Sequence, residues 1–321
     1  MNRRALIQWL ASTVAGLSAG PLFAQALGTR PIRMVVGFSA GGPTDIVARL
    51  LAQHMGDAMG RSVIVENKPG AGGNIAATEV MRSTPDGTTV LYNTAGFVIA
   101  PALSAQAPNP RDFKAVALTT TTPLAVVVHP SVPANTPREL IAHIRANPEK
   151  VACALGALGS TPHLAIAQIS LQNNLKINFI PYKGAAAALQ DVAAGHVHFT
   201  VEPLISMLPF VREERVRAIA ILSRARSSIM PDLPTWSEST GSVFEASSWQ
   251  GMVVPAATPA EFILGLNVAV NRALKSPAVV QRLVASGTEP LGGTPEQYAA
   301  FLQAEEVRWQ QVVKDSGIKT S

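Results

Sequence analysis

Cysteine is nearly absent from this chain of 321 residues, which holds one, Cys153. An internal disulfide is therefore excluded, and packing alone must stabilise the fold. Cys153 lies in the apolar stretch VACAL, which predicts a buried, inert thiol. Aromatic residues are also scarce, at 5%. This scarcity disfavours a sugar-binding groove, because such grooves use aromatic platforms.

Clusters of positive charge are lacking as well. Lysine and arginine number 26 against 21 acidic residues, but they form no run and no stripe, so we expect no nucleic-acid partner. The modest positive balance suits a small anionic ligand. Charged residues make up only 15% of the chain, too few for long disordered tracts.

The first 24 residues are typical of a cleaved secretory signal. Arg3 and Arg4 form a short basic region, residues 5–22 are mostly apolar or small, and Ala24 suits signal peptidase. The apolar stretch is too interrupted for a membrane span. We therefore predict a signal peptide over residues 1–24 and an exported protein.

Short β-branched runs alternate with helical patterns along the rest of the chain. IRMVVGF, SVIVEN and TTVLYN are typical of strands, and PTDIVARLLAQHM between them has helical spacing. This alternation predicts an α/β fold around mostly parallel sheets. Two extended stretches, 122–130 and about 247–255, are candidates for crossing between lobes. They divide the chain into a first lobe of residues 31–125 plus 252–321 and a second lobe of residues 126–250, with a hinge and a cleft between them.

The stretch GFSAG, residues 37–41, permits two interpretations. It fits the nucleophile elbow of a serine esterase, with Ser39 as the nucleophile. It also fits a glycine-rich loop that opens a helix and binds an anion. The elbow interpretation is disfavoured because the motif follows the first strand and no HGG sequence precedes it. A fluorophosphonate that labels Ser39 would support the esterase, and absence of labelling would end it.

The residues after this stretch predict a helix N-terminus. Gly42 is the expected N-cap and Pro43 the first helical residue. The free N–H groups and the partial positive charge of this helix end favour an anion. Asp45, two residues further on, has two candidate roles: it stabilises the helix end, or it receives an ammonium or hydroxyl group of a ligand.

A second helix start has the same pattern, in GALGSTPHLA (156–165). Thr161 is the expected N-cap, with Pro162 at the helix start and His163 next to it. Two helix N-termini that face each other across a cleft would bind two carboxylates of one ligand. His163 is either a ligand contact or a histidine beside the cap, and both remain open.

Polar side chains also follow two later strands. Tyr182 and Lys183 come after INFIP, and Glu202 follows HFTV. Open α/β sheets place ligand contacts at such carboxyl ends, although Lys183 is equally explained as a solvated charge. Residues 66–74, ENKPGAGGN, match neither a phosphate loop nor a dinucleotide fingerprint, so they predict a turn into a helix from Asn74. The pair His196 and His198 lacks a third ligand. We expect no metal and no cofactor.

Taken in order, several stretches carry a resemblance to a known family. They are PIRMVVGFSAGGPTDIVARLLA, VIVENKPGAGGNIAATEV, TPDGTTVLYNTAG, GSTPHLA, PYKGAAAALQDVAAGHV, MPDLPTWSES, FEASSWQGMVVPAATP and GGTPEQYAAFLQAEEVRW. The chain resembles the Bug family of periplasmic solute-binding proteins, which serve tripartite tricarboxylate transporters. The resemblance covers nearly the whole chain.

The resemblance implies a fold like the type II periplasmic binding proteins, in which two α/β lobes close on a small ligand. It implies a monomer without enzymatic activity that binds a carboxylate through backbone N–H groups, hydroxyls and ordered waters. The partner is then a set of membrane transporter subunits or, alternatively, a sensor kinase. Carried over to this chain, the ligand-binding residues are Phe38, Ser39, Ala40, Gly41, Gly42, Thr44, Asp45, Thr94, Ala95, Ser160, Thr161, His163, Tyr182 and Lys183, with Glu202 as a further candidate.

Three departures from the family pattern stand out. Gly37 replaces a proline, which we expect to loosen the backbone. Glu202 replaces an aspartate, and its longer side chain is expected to change the size or charge of the ligand. The apolar stretch 97–99 replaces a polar one, which indicates either a less polar ligand or a core segment.

Overall fold

The computed structural model describes residues 30–182 and 184–316. The predicted signal peptide, residues 1–24, and Lys183 lie outside the described residues. The strands are β1 (Ile32–Val36), β2 (Val63–Asn67), β3 (Thr89–Thr94), β4 (Phe113–Val128), β5 (Ala152–Leu155), β6 (Asn178–Pro181), β7 (Phe199–Pro203), β8 (Arg217–Ile221), β9 (Ser247–Pro255) and β10 (Glu289–Pro290). The helices are α1 (Pro43–Met59), α2 (Asn74–Met81), α3 (Gly96–Leu103), α4 (Pro137–Ala146), α5 (Thr161–Asn173), α6 (Ala185–Ala193), α7 (Leu204–Arg212), α8 (Trp236–Thr240), α9 (Ala260–Leu274), α10 (Pro277–Ala285) and α11 (Pro295–Ser316).

The strands form one ten-stranded sheet, in which eight strands follow the order β2-β1-β3-β9-β4-β7-β5-β6 and β8 and β10 each pair with β4. β1, β2 and β3 are parallel, and so are β5, β6 and β7. The central strands β4 and β9 run antiparallel to their neighbours. The predicted α/β class is confirmed, and each parallel block places the carboxyl ends of its strands at one edge.

β4 connects the two halves of this sheet. Residues from Phe113 to Pro123 pair with β9, whereas residues from Leu124 to Val128 pair with β7 and, from Ala125, with β8. The partner therefore changes between Pro123 and Leu124, two residues before the boundary that the sequence suggests. The division into lobes of residues 31–125 plus 252–321 and 126–250 stays a prediction.

Apolar side chains cover both faces of each half. In the first half, Met34 and Tyr92 pack on one face with α1 and α9, while Leu91 packs on the other face with α2, α3 and α11. In the second half, α4, α5 and α8 cover one face, and α6 and α7 cover the other. Leu164 of α5 packs into the first-half cluster, so this helix contacts both halves.

Within residues 30–182 and 184–316, no helix combines the length and the apolar character that a membrane crossing requires.

Candidate functional site

The loop between β1 and α1 presents its backbone at the carboxyl edge of the first parallel block. Gly42 is the N-cap and Pro43 is the first helical residue, which confirms the predicted helix start. The Gly42 N–H donates to the Ser39 carbonyl over 3.3 Å. Residues 39–41 are exposed, and Phe38 is half-buried. No side chain caps this helix end, so its first N–H groups are available to an anion.

Gly37, the departure from the family's proline, is explained by a close approach of two loops. A Cβ on this residue would lie 2.6 Å from the Gly73 Cα. Gly37 is buried, and its φ is not positive. The missing side chain lets the loop of residues 70–73 pack against the end of β1, and the expectation of a loosened backbone stays a prediction.

Asp45 is buried, and three donors from the protein hold its carboxylate. Its Oδ2 accepts from the Gly41 N–H at 2.8 Å and from the Arg49 Nε at 2.9 Å, and its Oδ1 accepts from the Asn67 Nδ2 at 2.8 Å. The same Asn67 amide donates to the Phe38 carbonyl. These bonds join both ends of the loop to β2. Thr44, next to Asp45, is also buried.

Replacing Asp45 with asparagine is expected to destabilise the protein by about 1–3 kcal/mol at pH 7, because one amide hydrogen then faces a donor. Burial raises the pKa of Asp45, but hydrogen bonds from Arg49, Gly41 and Asn67 outweigh it, so the net pKa is lowered. This contribution is present above the ordinary carboxyl pKa and is lost as the pH falls through the lower folded value. Urea unfolding should thus show a gap between wild type and variant that narrows on acidification.

The control for this variant is Asp57→Asn, an exposed residue of the same helix. It should change the free energy of unfolding by less than about 0.5 kcal/mol. Equal stability of the Asp45 variant and the wild type would contradict the role assigned to this carboxylate.

A small cavity lies behind this loop, between the ends of β1 and β3 and the start of α2. Its lining residues are Gly37, Phe38, Gly72, Gly73, Asn74, Ala77, Leu91, Tyr92, Asn93, Thr94 and Phe97. It brings together Phe38 and Thr94 of the residues carried over from the family, while Ala95 is buried beside it. The apolar stretch 97–99 packs in the core with all three of its residues, Phe97, Val98 and Ile99. Phe97 also lines this cavity.

The sequence interpretation missed the contribution of residues 72–74 to this cavity. The helix from Asn74 is confirmed, and the turn before it is present as expected. The glycine run was the available signal, since glycines allow backbones to approach closely. Asn93 was also missed, because it sits in an ordinary strand pattern.

At the second helix start, the N-cap is Ser160 and not Thr161. The Ser160 hydroxyl accepts from the His163 N–H, and Thr161 is already helical. Pro162 and His163 are consequently the second and third helical residues. The N–H groups in the first turn of a helix have no intrahelical acceptor. Proline at the second helical position, Pro162, therefore removes no helix hydrogen bond.

His163 is buried, and its ring contacts Gly159 of the preceding loop and Phe179 of β6. Its Nδ1 accepts from the Gly159 N–H at 3.0 Å, which places the ring proton of the neutral form on Nε2. Burial lowers the pKa of His163. Its ring packs edge-to-face with Phe179 at 6.0 Å between centroids. The imidazole is therefore neutral at pH 7, with Nε2 as its donor.

Glu202 and Tyr182 occupy the carboxyl edge of the second parallel block. Glu202 is 3% exposed, and its Oε1 accepts from the Gly156 N–H at 3.2 Å. Burial raises the pKa of Glu202 to about 8. The Tyr182 hydroxyl donates to the Asp191 Oδ2 at 2.7 Å. Burial and this carboxylate together raise the pKa of Tyr182 to about 12.

The candidate residues thus fall into two groups. Hydrogen bonds through Asn67 link Phe38 and Asp45 in the first half. In the second half, separate bonds join Ser160 to His163 and Gly156 to Glu202. The halves meet where Gly159 faces Leu103 of α3, whose Cδ1 lies 2.8 Å from the position of a Gly159 Cβ.

The residues that the structure describes contain no group of three or more His, Cys, Asp or Glu side chains able to bind a metal ion. His196 lies 3.5 Å from the Asp191 carboxylate. The His198 Nδ1 accepts from the Ala152 N–H. The two imidazoles therefore have separate protein partners.

Comparison with known proteins shows which family and which relatives this chain is similar to. Residues 47–318 match the family described as "Tripartite tricarboxylate transporter family receptor". The chain is 36% identical over 323 residues to "Protein BugT" of Bordetella pertussis, and the match covers 99% of each protein.

Two solved structures share the fold and have named ligands. "R. palustris Rpa4515 with adipate" has a TM-score of 0.86 at 33% identity, covering 91% of this chain and 99% of that one. "MatC (Rpa3494) from Rhodopseudomonas palustris with bound malate" has a TM-score of 0.83 at 31% identity, covering 89% and 99%. These neighbours confirm the two-lobed fold of a periplasmic binding protein.

Proposed function

Because this chain belongs to the tripartite tricarboxylate transporter receptor family, we propose that it binds a small carboxylate in the cleft between its lobes and delivers it to the membrane subunits of such a transporter. The site of action is the periplasm, reached after removal of residues 1–24. The lobes are residues 31–125 plus 252–321 and residues 126–250.

One observation carries this proposal. The β1–α1 loop and the first turn of α1 expose N–H groups that no side chain caps, and the one acid of that turn, Asp45, is already paired with Arg49. Residues 39–41 are exposed beside a helix N-terminus. Asp45 would repel an anion, but Arg49 and two other donors hold its carboxylate inside the protein. The loop therefore presents donors and a positive helix end, which favour a carboxylate over an ammonium group.

Ligand capture then follows from contacts made to both lobes. The N–H groups of Ser39 and Ala40, together with those of the first turn of α1, receive one carboxylate, and the helix start at Ser160 and Thr161 receives the other end. Thr94, Ala95, His163, Tyr182, Lys183 and Glu202 complete the proposed site. A ligand that touches both lobes binds the closed state more tightly than the open state, and so shifts the population towards closure.

An enzymatic role is not part of this proposal. Within the described part of the chain, no histidine lies within hydrogen-bonding distance of the Ser39 hydroxyl, so a base that would activate it is not in place. This arrangement supports a binding role for Ser39.

A thermal-shift screen of the exported protein tests the function. The panel contains adipate, malate, citrate, glutamate, nicotinate and benzoate, with glucose and leucine as neutral controls. A ligand that binds only the native state raises the melting temperature. We expect a rise with one class of acid and none with the controls. A rise with a neutral solute and with no acid would overturn the proposal.

A proline at Thr161 is expected to weaken carboxylate binding at least about tenfold while the helix is retained. Thr161 is the first residue of α5, where proline is tolerated, but the change removes one N–H donor and one hydroxyl from the site. The measurement is isothermal titration with the best acid of the screen.

Ala260→Pro is the matched control, because Ala260 is the exposed first residue of α9. Its affinity should equal that of the wild type. Unchanged affinity in the Thr161 variant would remove the start of α5 from the binding site.

A further inference from the structure

A second cavity lies beside the strands that connect the two halves of the sheet. Its volume is about 340 Å³, within the range of about 300–1,000 Å³ that small-molecule sites occupy. Its walls include Pro123, where β4 changes partner, the segment 222–227 after β8, the segment 245–247 at the start of β9, Glu289 of β10 and Arg308 of α11. Both halves of the sheet therefore contribute to this cavity, which we call the hinge cavity.

Three arginines line the hinge cavity, and two of them already have acidic partners. The Arg226 Nε donates to the Glu238 Oε2 at 2.9 Å, and the Arg308 Nη1 donates to the Glu305 Oε1 at 3.3 Å. Neither of these glutamates lines the cavity. The charges of Arg226 and Arg308 are thus balanced by the protein, and neither arginine needs a ligand as its counter-charge.

Three other charged side chains of the hinge cavity lack such a partner. Among the described residues, no hydrogen bond or ion pair engages the Arg224 guanidinium, the Glu245 carboxylate or the Glu289 carboxylate. All three residues are exposed. Arg224 follows β8 of the second half, whereas Glu289 belongs to β10 of the first half. One positive and two negative charges therefore line the cavity without a counter-charge from the protein.

The hinge cavity also has apolar residues beneath its charged rim. Pro123, Leu222 and Ala246 line it, and all three are buried. A chain of methylene groups is favourable on such a surface when the charged ends of the chain remain in a polar setting. The cavity therefore suits a small molecule with an aliphatic chain and charges at its ends.

We propose that the hinge cavity binds a basic amino acid such as lysine. The carboxylate of the ligand pairs with Arg224, its two cationic groups pair with Glu245 and Glu289, and its methylene chain lies over the apolar floor. Each of the three charges then meets one charge of opposite sign. A polycarboxylate would bring further negative charge to the two glutamates, and an amine without a carboxylate would leave Arg224 without a partner.

Occupation of the hinge cavity would affect the proposed carboxylate site. A ligand that contacts both halves beside the crossing strands binds one arrangement of the halves more tightly than another, and so shifts the population towards it. By linkage, the affinity of the cleft for its carboxylate changes by the same factor as the affinity of the hinge cavity for lysine. This coupling rests on the proposed lobe closure, whereas the lysine site itself does not.

Isothermal titration at pH 7 with three probes of similar length tests the site. Lysine carries all three charges, norleucine lacks the side-chain ammonium, and cadaverine lacks the carboxylate. We expect lysine to bind the wild type at least about tenfold more tightly than either of the others. Arg224→Ala and Glu289→Gln should each weaken lysine binding at least about tenfold. Because both residues are exposed and unpaired, neither variant should change the melting temperature of the free protein.

Arg282→Ala and Glu261→Gln are the matched controls, because these exposed residues of α10 and α9 do not line the hinge cavity. Both should bind lysine as the wild type does. Thr161→Pro should also bind lysine like the wild type, which separates this site from the cleft. The site would be overturned by a wild type that does not bind lysine, by norleucine or cadaverine binding as tightly as lysine, or by full lysine affinity in Arg224→Ala.

A second titration tests the coupling, with the best acid of the thermal-shift screen as the probe. Saturating lysine should change the dissociation constant of this acid at least about twofold in the wild type and leave it unchanged in Arg224→Ala. Equal acid affinity of the wild type with and without lysine would overturn the coupling. If the wild type binds lysine but no acid, the proposed function fails and the lysine site stands.

Discussion

Replacing Glu202 with glutamine is expected to stabilise the protein by roughly 4–5 kcal/mol at pH 8 or above. Burial raises the pKa of this carboxyl from 4.5 to about 8, and each pH unit between the two values is worth about 1.4 kcal/mol. Glutamine has nearly the same shape, stays neutral at every pH, and keeps an oxygen for the Gly156 N–H.

The sign of the pH dependence follows from the direction of the pKa shift. The folded protein binds this proton more tightly than the unfolded chain does. The contribution to stability is therefore complete below the ordinary carboxyl pKa and is lost as the pH rises through about 8. The unfolding curves of the wild type and Glu202→Gln should nearly coincide at pH 4 and separate steadily between pH 5 and pH 8.

Chemical denaturation at single-unit steps from pH 4 to pH 9 measures this separation. Glu149→Gln is the matched control, because Glu149 is an exposed carboxylate 3.9 Å from Lys176 and should contribute less than about 1 kcal/mol at any pH. Parallel profiles for the wild type and Glu202→Gln would show that the carboxyl is already ionised at neutral pH, and would contradict the burial argument.

The protonation of Glu202 also bears on the ligand. A carboxyl that is neutral below pH 8 does not repel an anion in the proposed cleft, whereas an ionised one would. The carboxylate affinity of the wild type should therefore fall as the pH rises above 8, and that of Glu202→Gln should not. The Glu202 carboxyl reaches the Gly156 N–H, where it has space because residue 156 has no Cβ.

Local features were predictable from the sequence because their causes are local. The alternation of β-branched runs with helical patterns gives the strands and helices of both halves. Gly42 and Pro43 determine the start of α1 by themselves. The second helix start was misassigned by one residue, because Ser160 and Thr161 are both good caps. The backbone decides between them: Ser160 is extended (φ −84°, ψ 163°) and accepts the bond from His163.

Other features depend on residues that are distant along the chain, and no local pattern contains them. Asn67, which donates to the Asp45 carboxylate, is 22 residues away from it along the chain. Tyr298, which donates to the Asn93 amide oxygen, is 205 residues away from Asn93. The glycine at position 37 also depends on a distant residue, because a side chain there would collide with Gly73. The sequence therefore predicts the helix start at Gly42 and Pro43, but it does not predict which donors are left free beside it.

Replacing Glu305 with leucine is expected to destabilise the protein by about 2–6 kcal/mol. The Glu305 Oε2 accepts from two buried indoles, the Trp249 Nε1 at 2.7 Å and the Trp309 Nε1 at 2.8 Å. Each buried donor left without a partner costs about 1–3 kcal/mol. The variant also removes the 3.3 Å contact between the Glu305 Oε1 and the Arg308 guanidinium.

Urea unfolding followed by tryptophan fluorescence measures this loss, because both indoles report on their own surroundings. Glu305→Gln is the matched control: its oxygen can still accept from the indoles, so it should cost less than half as much as the leucine.

The consequence extends beyond stability. Trp249 lies on β9, next to the point where the chain passes between the two halves of the sheet, and Trp309 lies on α11. Glu305 therefore joins the crossing strand to the C-terminal helix. Unfolding of the leucine variant at the same urea concentration as the wild type would contradict this prediction. It would mean that the two indoles find other acceptors and that Glu305 does not hold β9 and α11 together.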